Sequence, residues 1–412
     1  MEQKERVLLA ACYLNGDDEE RFESSLKELQ SLTETAKGKV VEIVTQKRLA
    51  VHPSTYIGGG KLQEIKQLAD DRDIDLVIFN DELSPAQLRN ISRTVDVRVI
   101  DRTQLILDIF AARAKTKEGK LQVELAQLQY LLPRLYGKGV ELSRLGGGIG
   151  TRGPGETKLE TDRRHIHRRM TEIKRQLRTV VNNRKQYRLR RQENHAFQIA
   201  IVGYTNAGKS TLFNQLTERF SLEEDQLFAT LDPMTGKIRL PGGFQAIISD
   251  TVGFIQDLPT TLIAAFRSTL EEISDADLIL HVVDASAKDY PEHEHTVYGL
   301  LKELDADHIS TLTVYNKKEF ISRPYTPVSH PFIKISALDK EDVEELKHTI
   351  EKILKKQWVF YEKNIPIKNG KLVHQLKEHT IVESRDIIED QELYRVSGYV
   401  NPEHPIYQQL KE

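Results

Sequence analysis

The chain has a single cysteine, Cys12, in 412 residues. No internal disulfide can staple it, so its folds must rest on buried apolar surface. Cys12 lies in a strand-like apolar run and reads as core. Long hydrophobic runs are missing too, since stretches such as Leu278-Ile-Leu-His-Val-Val283 stop far short of the ~18 residues a membrane helix needs. No apolar secretory segment follows Met1, and the expectation is a cytoplasmic monomer without a membrane span. Metal-ligand clusters are scarce: His293-Glu-His295 would point its imidazoles apart on a helix, and no cysteine or acidic cluster completes a site there. Neither charge is in excess, with 59 Lys and Arg against 62 Asp and Glu and a formal charge of -3.

That balance conceals an asymmetry. Residues 113 to 191 hold 21 Lys and Arg against 7 Asp and Glu, a net +14, which leaves -17 for the rest of the chain. A concentrated basic segment beside acidic domains has the charge pattern of a nucleic-acid contact, because Lys and Arg release counterions condensed on phosphates. A solvated helical hairpin is the plainer alternative. Length alone argues for several domains, at roughly 150 residues each.

What is present, first of all, is a phosphate-binding loop. Gly203, Tyr204, Thr205, Asn206, Ala207, Gly208, Lys209 and Ser210 fit G-x-x-x-x-G-K-[ST], between an apolar run, Ile199-Ala-Ile-Val202, and a helix-like run from Thr211. In that setting backbone N–H groups curl round a polyphosphate, Lys209 reaches the β- and γ-phosphates, and Ser210 can ligate Mg²⁺.

Three further elements follow at the spacings of a Ras-like nucleotide domain. In Phe228, Ala229, Thr230, Leu231 and Asp232, Thr230 is suited to complete the Mg²⁺ shell and sense the γ-phosphate. In Asp250, Thr251, Val252 and Gly253, the carboxylate can hold a Mg²⁺-bound water and the Gly253 N–H can meet the γ-phosphate. Lys209, Thr230 and Gly253 are therefore the expected catalytic positioning groups. Base recognition falls to Asn316, Lys317, Lys318 and Glu319, with Ser336, Ala337 and Leu338 as the last loop. The usual pattern ends in Asp, whose carboxylate accepts both N–H donors on guanine's Watson–Crick edge. Glu319 keeps the carboxylate and adds one methylene. Adenine would face it with an unpaired N1 acceptor, so GTP is expected over ATP, at some loss of affinity. Phe254 stands where Ras-type enzymes carry a water-orienting glutamine, which implies slow intrinsic hydrolysis that a partner accelerates. Asn206 occupies the place of an asparagine ligand in potassium-stimulated GTPases, making K⁺ a candidate second ion.

The remaining chain frames this domain. Residues 1–112 alternate strand and helix runs, with four strands that imply a small parallel α/β sheet. Within it, Tyr56-Ile-Gly-Gly-Gly-Lys61 resembles an anion site without the P-loop spacing, and an ordinary helix start is the simpler reading. From Gln104 to Leu135 the pattern is helical, with Leu121, Leu125, Leu128 and Leu132 forming a seam. Ile166, Met170, Ile173, Leu177 and Val180 repeat it, which reads as an antiparallel hairpin over 113–194 broken at Pro133 and Gly137. Between the helices, residues 142–158 carry six glycines with Arg144, Arg152 and Lys158. Glycine loses the most backbone entropy on ordering, so this loop must take its order from something else, with RNA phosphates or a plain linker role as the two readings. The GTPase domain spans 195–358, and 359–412 reads as a small α+β appendage. The fold class is thus α/β and multidomain.

Taken together, these motifs resemble the HflX family of ribosome-associated GTPases, through Ser54-Thr-Tyr-Ile-Gly-Gly-Gly-Lys61, Gly146 to Lys158, Gly203 to Ser210, Phe228 to Asp232 and Asp250-Thr-Val-Gly-Phe-Ile255. The resemblance covers nearly the whole chain. It implies a factor that docks GTP-bound on the large ribosomal subunit, splits stalled or idle ribosomes, and leaves after hydrolysis, with residues 142–191 entering ribosomal RNA. A GTP-regulated binder of some other RNA, or an ATP-driven RNA remodeller acting through the N-terminal domain, are the alternatives.

Overall fold

In the computed structural model, residues 4–16, 18–135, 154–193, 195–217, 228, 234–256, 273–321, 327–388 and 392–411 are described, with backbone alone for 154–159, 183–185 and 187–193. The chain divides into two compact units, Met1–Asn182 with Gln226–Leu231 and Gln256–Arg267, and the remainder.

The first unit is built on β1 (Arg6–Leu14), whose run Val7 to Cys12 is buried on both faces, as a central parallel strand requires. With β2 (Lys39–Arg48), β3 (Leu76–Phe79) and β4 (Arg98–Asp101) it forms a four-stranded parallel sheet in the order β2-β1-β3-β4. The connections are α1 (Glu19–Thr35), α2 (Gly59–Asp71) and α3 (Pro85–Thr94). Side chains set their starts: Asp18 accepts from Glu20 N–H, and Ser84 and Gln87 form a capping box before Pro85. The expected α/β sheet is there, and Cys12 is core at 5% exposure.

The continuous helical stretch expected from Gln104 to Leu135 is two helices, α4 (Arg102–Arg113) and α5 (Lys117–Leu135). Ala114 turns extended at ψ 113°, and Thr116 Oγ1 caps the next helix by accepting from Gly119 N–H at 3.0 Å. Pro133, expected to break the hairpin, lies inside the last turn of α5. A proline there deletes one backbone bond, and Arg134 next to it holds the turn by donating to the carbonyls of Tyr130 (2.9 Å) and Leu83 (2.7 Å). Gly137 lies outside the described residues. The opposing helix is α6 (Pro154–Glu193). Leu121, Leu125, Met170 and Ile173 are buried together, with Leu128, Leu132, Ile166 and Leu177 against them, as the seam spacing implied. Val180 is outside that cluster.

In the second unit a six-stranded sheet runs β10-β9-β8-β5-β7-β6. Its strands are β5 (Gln198–Gly203), β6 (Met234–Arg239), β7 (Gln245–Asp250), β8 (Leu278–Asp284), β9 (Thr311–Asn316) and β10 (Phe332–Lys334), all parallel except β6. Helices α7 (Lys209–Thr217), α8 (Tyr290–Glu303) and α9 (Lys340–Gln357) complete the nucleotide-domain layers. The tail adds β11 (Val359–Pro366), α10 (Gly370–His379), β12 (Ile381–Ile388), β13 (Leu393–Val400) and α11 (Ile406–Lys411), with the strands in the antiparallel order β11-β13-β12. Ile381 and Trp358 share one buried cluster with Leu212, Phe213 and Ile248. The tail sheet therefore continues the core of the nucleotide domain.

Candidate functional site

Strand β5 ends at Gly203 and α7 begins at Lys209, so the five residues between them form the tight loop that the motif requires. Two glycines are demanded by close approach. A Cβ on Gly203 would strike the Val282 carbonyl, and one on Gly208, at φ +90°, would strike the Asn316 side-chain amide. Asn206 also takes a left-handed conformation, at φ 60°, and is exposed at the loop tip.

Lys209 is 6% exposed, and its ammonium donates to the Tyr204 carbonyl at 2.6 Å. Burial pushes it down to about 8, with the nearby Asp250 carboxylate opposing that shift. Ser210 Oγ donates to Asp250 Oδ2 at 2.9 Å. Asp250 is fully buried at the end of β7, and its neighbour Thr251 donates to the Ile201 carbonyl at 2.7 Å, locking that turn to β5. The segment from Asp250 then pairs with the loop: Thr205 N–H donates to the Phe254 carbonyl at 2.8 Å, and Phe254 N–H to the Gly203 carbonyl at 3.2 Å. Gly253 lies over Lys209 closely enough that a Cβ there would sit 3.0 Å from Nζ and 2.8 Å from Thr205 Cγ2. Any larger residue would fill the space beside the amine.

Phe254 is 2% exposed in a cluster with Val202, Ile273, Ile279 and Val297. Its ring is core, so this position can neither accept from nor donate to a water. Of Phe228 to Asp232 only Phe228 is described, at 2% exposure edge-on to Phe110 of α4 with ring centroids 4.5 Å apart. Ala229, Thr230, Leu231 and Asp232 lie outside the described residues.

On the expected base side, Asn316 is the residue that joins two loops. Asn316 is 2% exposed; its amide donates to the Ala207 carbonyl at 2.9 Å and its Oδ1 accepts from Ala337 N–H at 2.8 Å. It thus ties the phosphate loop to the last loop. Lys317 is left-handed at φ 62° and its Nζ meets Asp284 Oδ2 at 2.7 Å. Glu319 sits exposed on a 3-10 turn, Lys318–Phe320. Ser336 and Ala337 are buried, whereas Leu338 is 66% exposed.

Two features escaped sequence reasoning. His293 stacks on Tyr204 at 3.7 Å between centroids, and His281 is buried on β8 against Tyr298, its imidazole pushed down to about 3 by burial and then by Lys209. Neither contact carried a local signal, because both partners are distant in sequence. The anion-like stretch of the N-terminal domain is already engaged: Gly58 N–H donates to Gln46 Oε1 at 2.8 Å and Lys61 pairs with Glu64 at 2.8 Å. Among the described residues no helix is long and apolar enough to cross a membrane.

The buried Lys209 ammonium, the Ser210 hydroxyl and the buried Asp250 carboxylate lie together at the C-terminal ends of β5 and β7, a donor set suited to a Mg²⁺-bound polyphosphate. Residues 23–111 match the family model described as GTP-binding GTPase N-terminal, 113–191 the GTP-binding GTPase Middle Region, and 198–317 the 50S ribosome-binding GTPase. The chain is 56% identical to GTPase HflX of Alkalihalophilus pseudofirmus over 99% of its length and 96% of the relative's. It is 45% identical to GTPase HflX of Escherichia coli over 77% of its length and 74% of the relative's. A GTP-binding protein of Sulfolobus solfataricus, solved with GDP, is 27% identical with a TM-score of 0.44, over 84% of this chain and 98% of that one. The chain belongs to the HflX family of GTPases.

Proposed function

We propose that this GTPase is a cytoplasmic switch that binds the large ribosomal subunit when loaded with GTP, separates stalled or idle ribosomes, and departs after hydrolysis. The clustering of Lys209, Ser210, Asp250 and Gly253 beside the phosphate loop is the observation that carries this reading.

The Ser210 hydroxyl and Asp250 carboxylate, 2.9 Å apart, offer hard oxygen donors of the kind Mg²⁺ takes, Asp250 acting through a water and Thr230 completing the set. When bound, the ion neutralises charge developing on the transferred phosphate. The chain's own groups do the rest. Lys209 exchanges its Tyr204 carbonyl for the β- and γ-phosphates, and the Gly253 N–H reports the γ-phosphate to the segment that follows it. Glu319 accepts from guanine, with Asn316 holding the loops that surround the base. Because Phe254 is core, hydrolysis by the chain alone is slow, and an outside group completes the site. Asn206, exposed at the loop tip, is the residue that would take K⁺ as a stand-in for an arginine finger.

The basic middle segment supplies the RNA contact, with residues 142–191 reaching ribosomal RNA. One assay decides the matter: GTP turnover with and without large subunits, in K⁺ and in Na⁺ buffers, with subunit separation followed on a sucrose gradient. Turnover rises by orders of magnitude on subunits and is faster in K⁺. Equal rates with and without subunits would remove the ribosomal reading, and equal rates in K⁺ and Na⁺ would remove the K⁺ ligand.

A further inference from the structure

The two loops assigned to guanine share an anchor in α9. Asp342, on the first turn of that helix, is 6% exposed. One carboxylate oxygen takes the Lys318 ammonium at 2.5 Å and the other accepts from Ser336 N–H at 2.6 Å. Lys318 opens the turn that carries Glu319, and Ser336 opens the last loop, so a single buried group grips both. The helix start adds partial positive charge beneath it. Lys318 N–H also donates to the Ile335 carbonyl at 3.2 Å, joining the same two segments through backbone. On the other flank Lys317 is held by Asp284 at 2.7 Å. Glu319 thus stands on a turn fixed by two adjacent lysines, each tied to its own carboxylate.

A glutamate reaches further than an aspartate and has one more torsion to settle, so its aim depends more on where its backbone is held. We propose that Asp342, acting through Lys318 and Ser336, is a positioning residue for base recognition that sets where the Glu319 carboxylate meets the guanine edge. The proposal rests on the assignment of Asn316 to Glu319 and Ser336 to Leu338 as base contacts.

The experiment uses the full chain with Lys318→Met, Asp342→Asn, the double variant and Glu319→Ala, measuring GDP and IDP affinity by calorimetry and steady-state GTP turnover. Lys318 is exposed, and Asn at 342 keeps the shape and an acceptor for Ser336, so both variants retain the fold. IDP lacks the 2-amino group that the carboxylate accepts from. Each single variant weakens GDP binding roughly tenfold and narrows the GDP over IDP preference, the double variant is no worse than either single one, and KM rises while kcat holds. If Glu319→Ala abolishes the preference while Lys318→Met and Asp342→Asn leave it at the wild-type ratio, the positioning role is overturned. If Glu319→Ala itself leaves the preference unchanged, the base-loop assignment fails beneath it.

Discussion

On the proposed base assignment Glu319 stands in place of the usual aspartate, and that departure can be tested by reversing it. Glu319→Asp restores the common length, and GDP and GTP are expected to bind more tightly by calorimetry, by the order of tenfold that one well-placed charged hydrogen bond supplies. No gain would place the guanine edge elsewhere. At this scale the phosphate loop could be read from sequence, because its motif is one contiguous run bounded by β5 and α7. Phe254 was legible only as something other than glutamine. That its ring is core depends on Ile273 and Val297, neighbours that only the folded sheet brings near.

At the scale of elements, α4 carries more than periodicity discloses. Arg102 at its first position is 4% exposed, with its guanidinium on Glu28 (2.9 Å), Asn80 (3.2 Å) and the Gln256 carbonyl (3.4 Å). Two turns later Phe110 meets Phe228. A sequence pattern gives an arginine no reason to be buried, since its partners lie on three other segments. Removing it strands the Glu28 carboxylate in the interior, and Arg102→Ala should cost about 3–5 kcal/mol in urea unfolding, with Arg102→Ala/Glu28→Gln recovering part of the loss. An additive double variant would mean that the pair is not coupled. Strand β11 went unread for a similar reason. Its buried residues, Tyr361 and Ile365, are four apart, and the alternation between them is broken by Lys363, whose Nζ reaches the Leu410 carbonyl at 3.5 Å.

Over the whole molecule, stability should weaken in mild acid. Burial holds His281 at about 3, and burial with His379 and His195 nearby holds His404 at about 4, both below the ordinary 6.5. An unfolded chain takes up those protons first, so the stability these imidazoles contribute is complete above pH 6.5 and is lost as pH falls toward 4. Buried carboxylates such as Asp101 and Asp277, pushed upward by desolvation, act in the opposite sense, so the histidine contribution must be isolated. His404→Gln, compared with wild type in thermal unfolding from pH 7 to pH 4, should show the shallower decline. Parallel profiles would show that His404 titrates alike in both states.

Sequence alone determined the α/β class, the nucleotide domain and the basic character of residues 113–191, because motif spacing, strand and helix periods and charge are all written locally along the chain. Only the tertiary structure decided which charges are buried, that Phe254 is core, that the tail sheet shares the core through Ile381, and that Asp342 grips two loops at once. Those outcomes rest on contacts between residues far apart in sequence, where each side chain's environment is set by neighbours that no local pattern names.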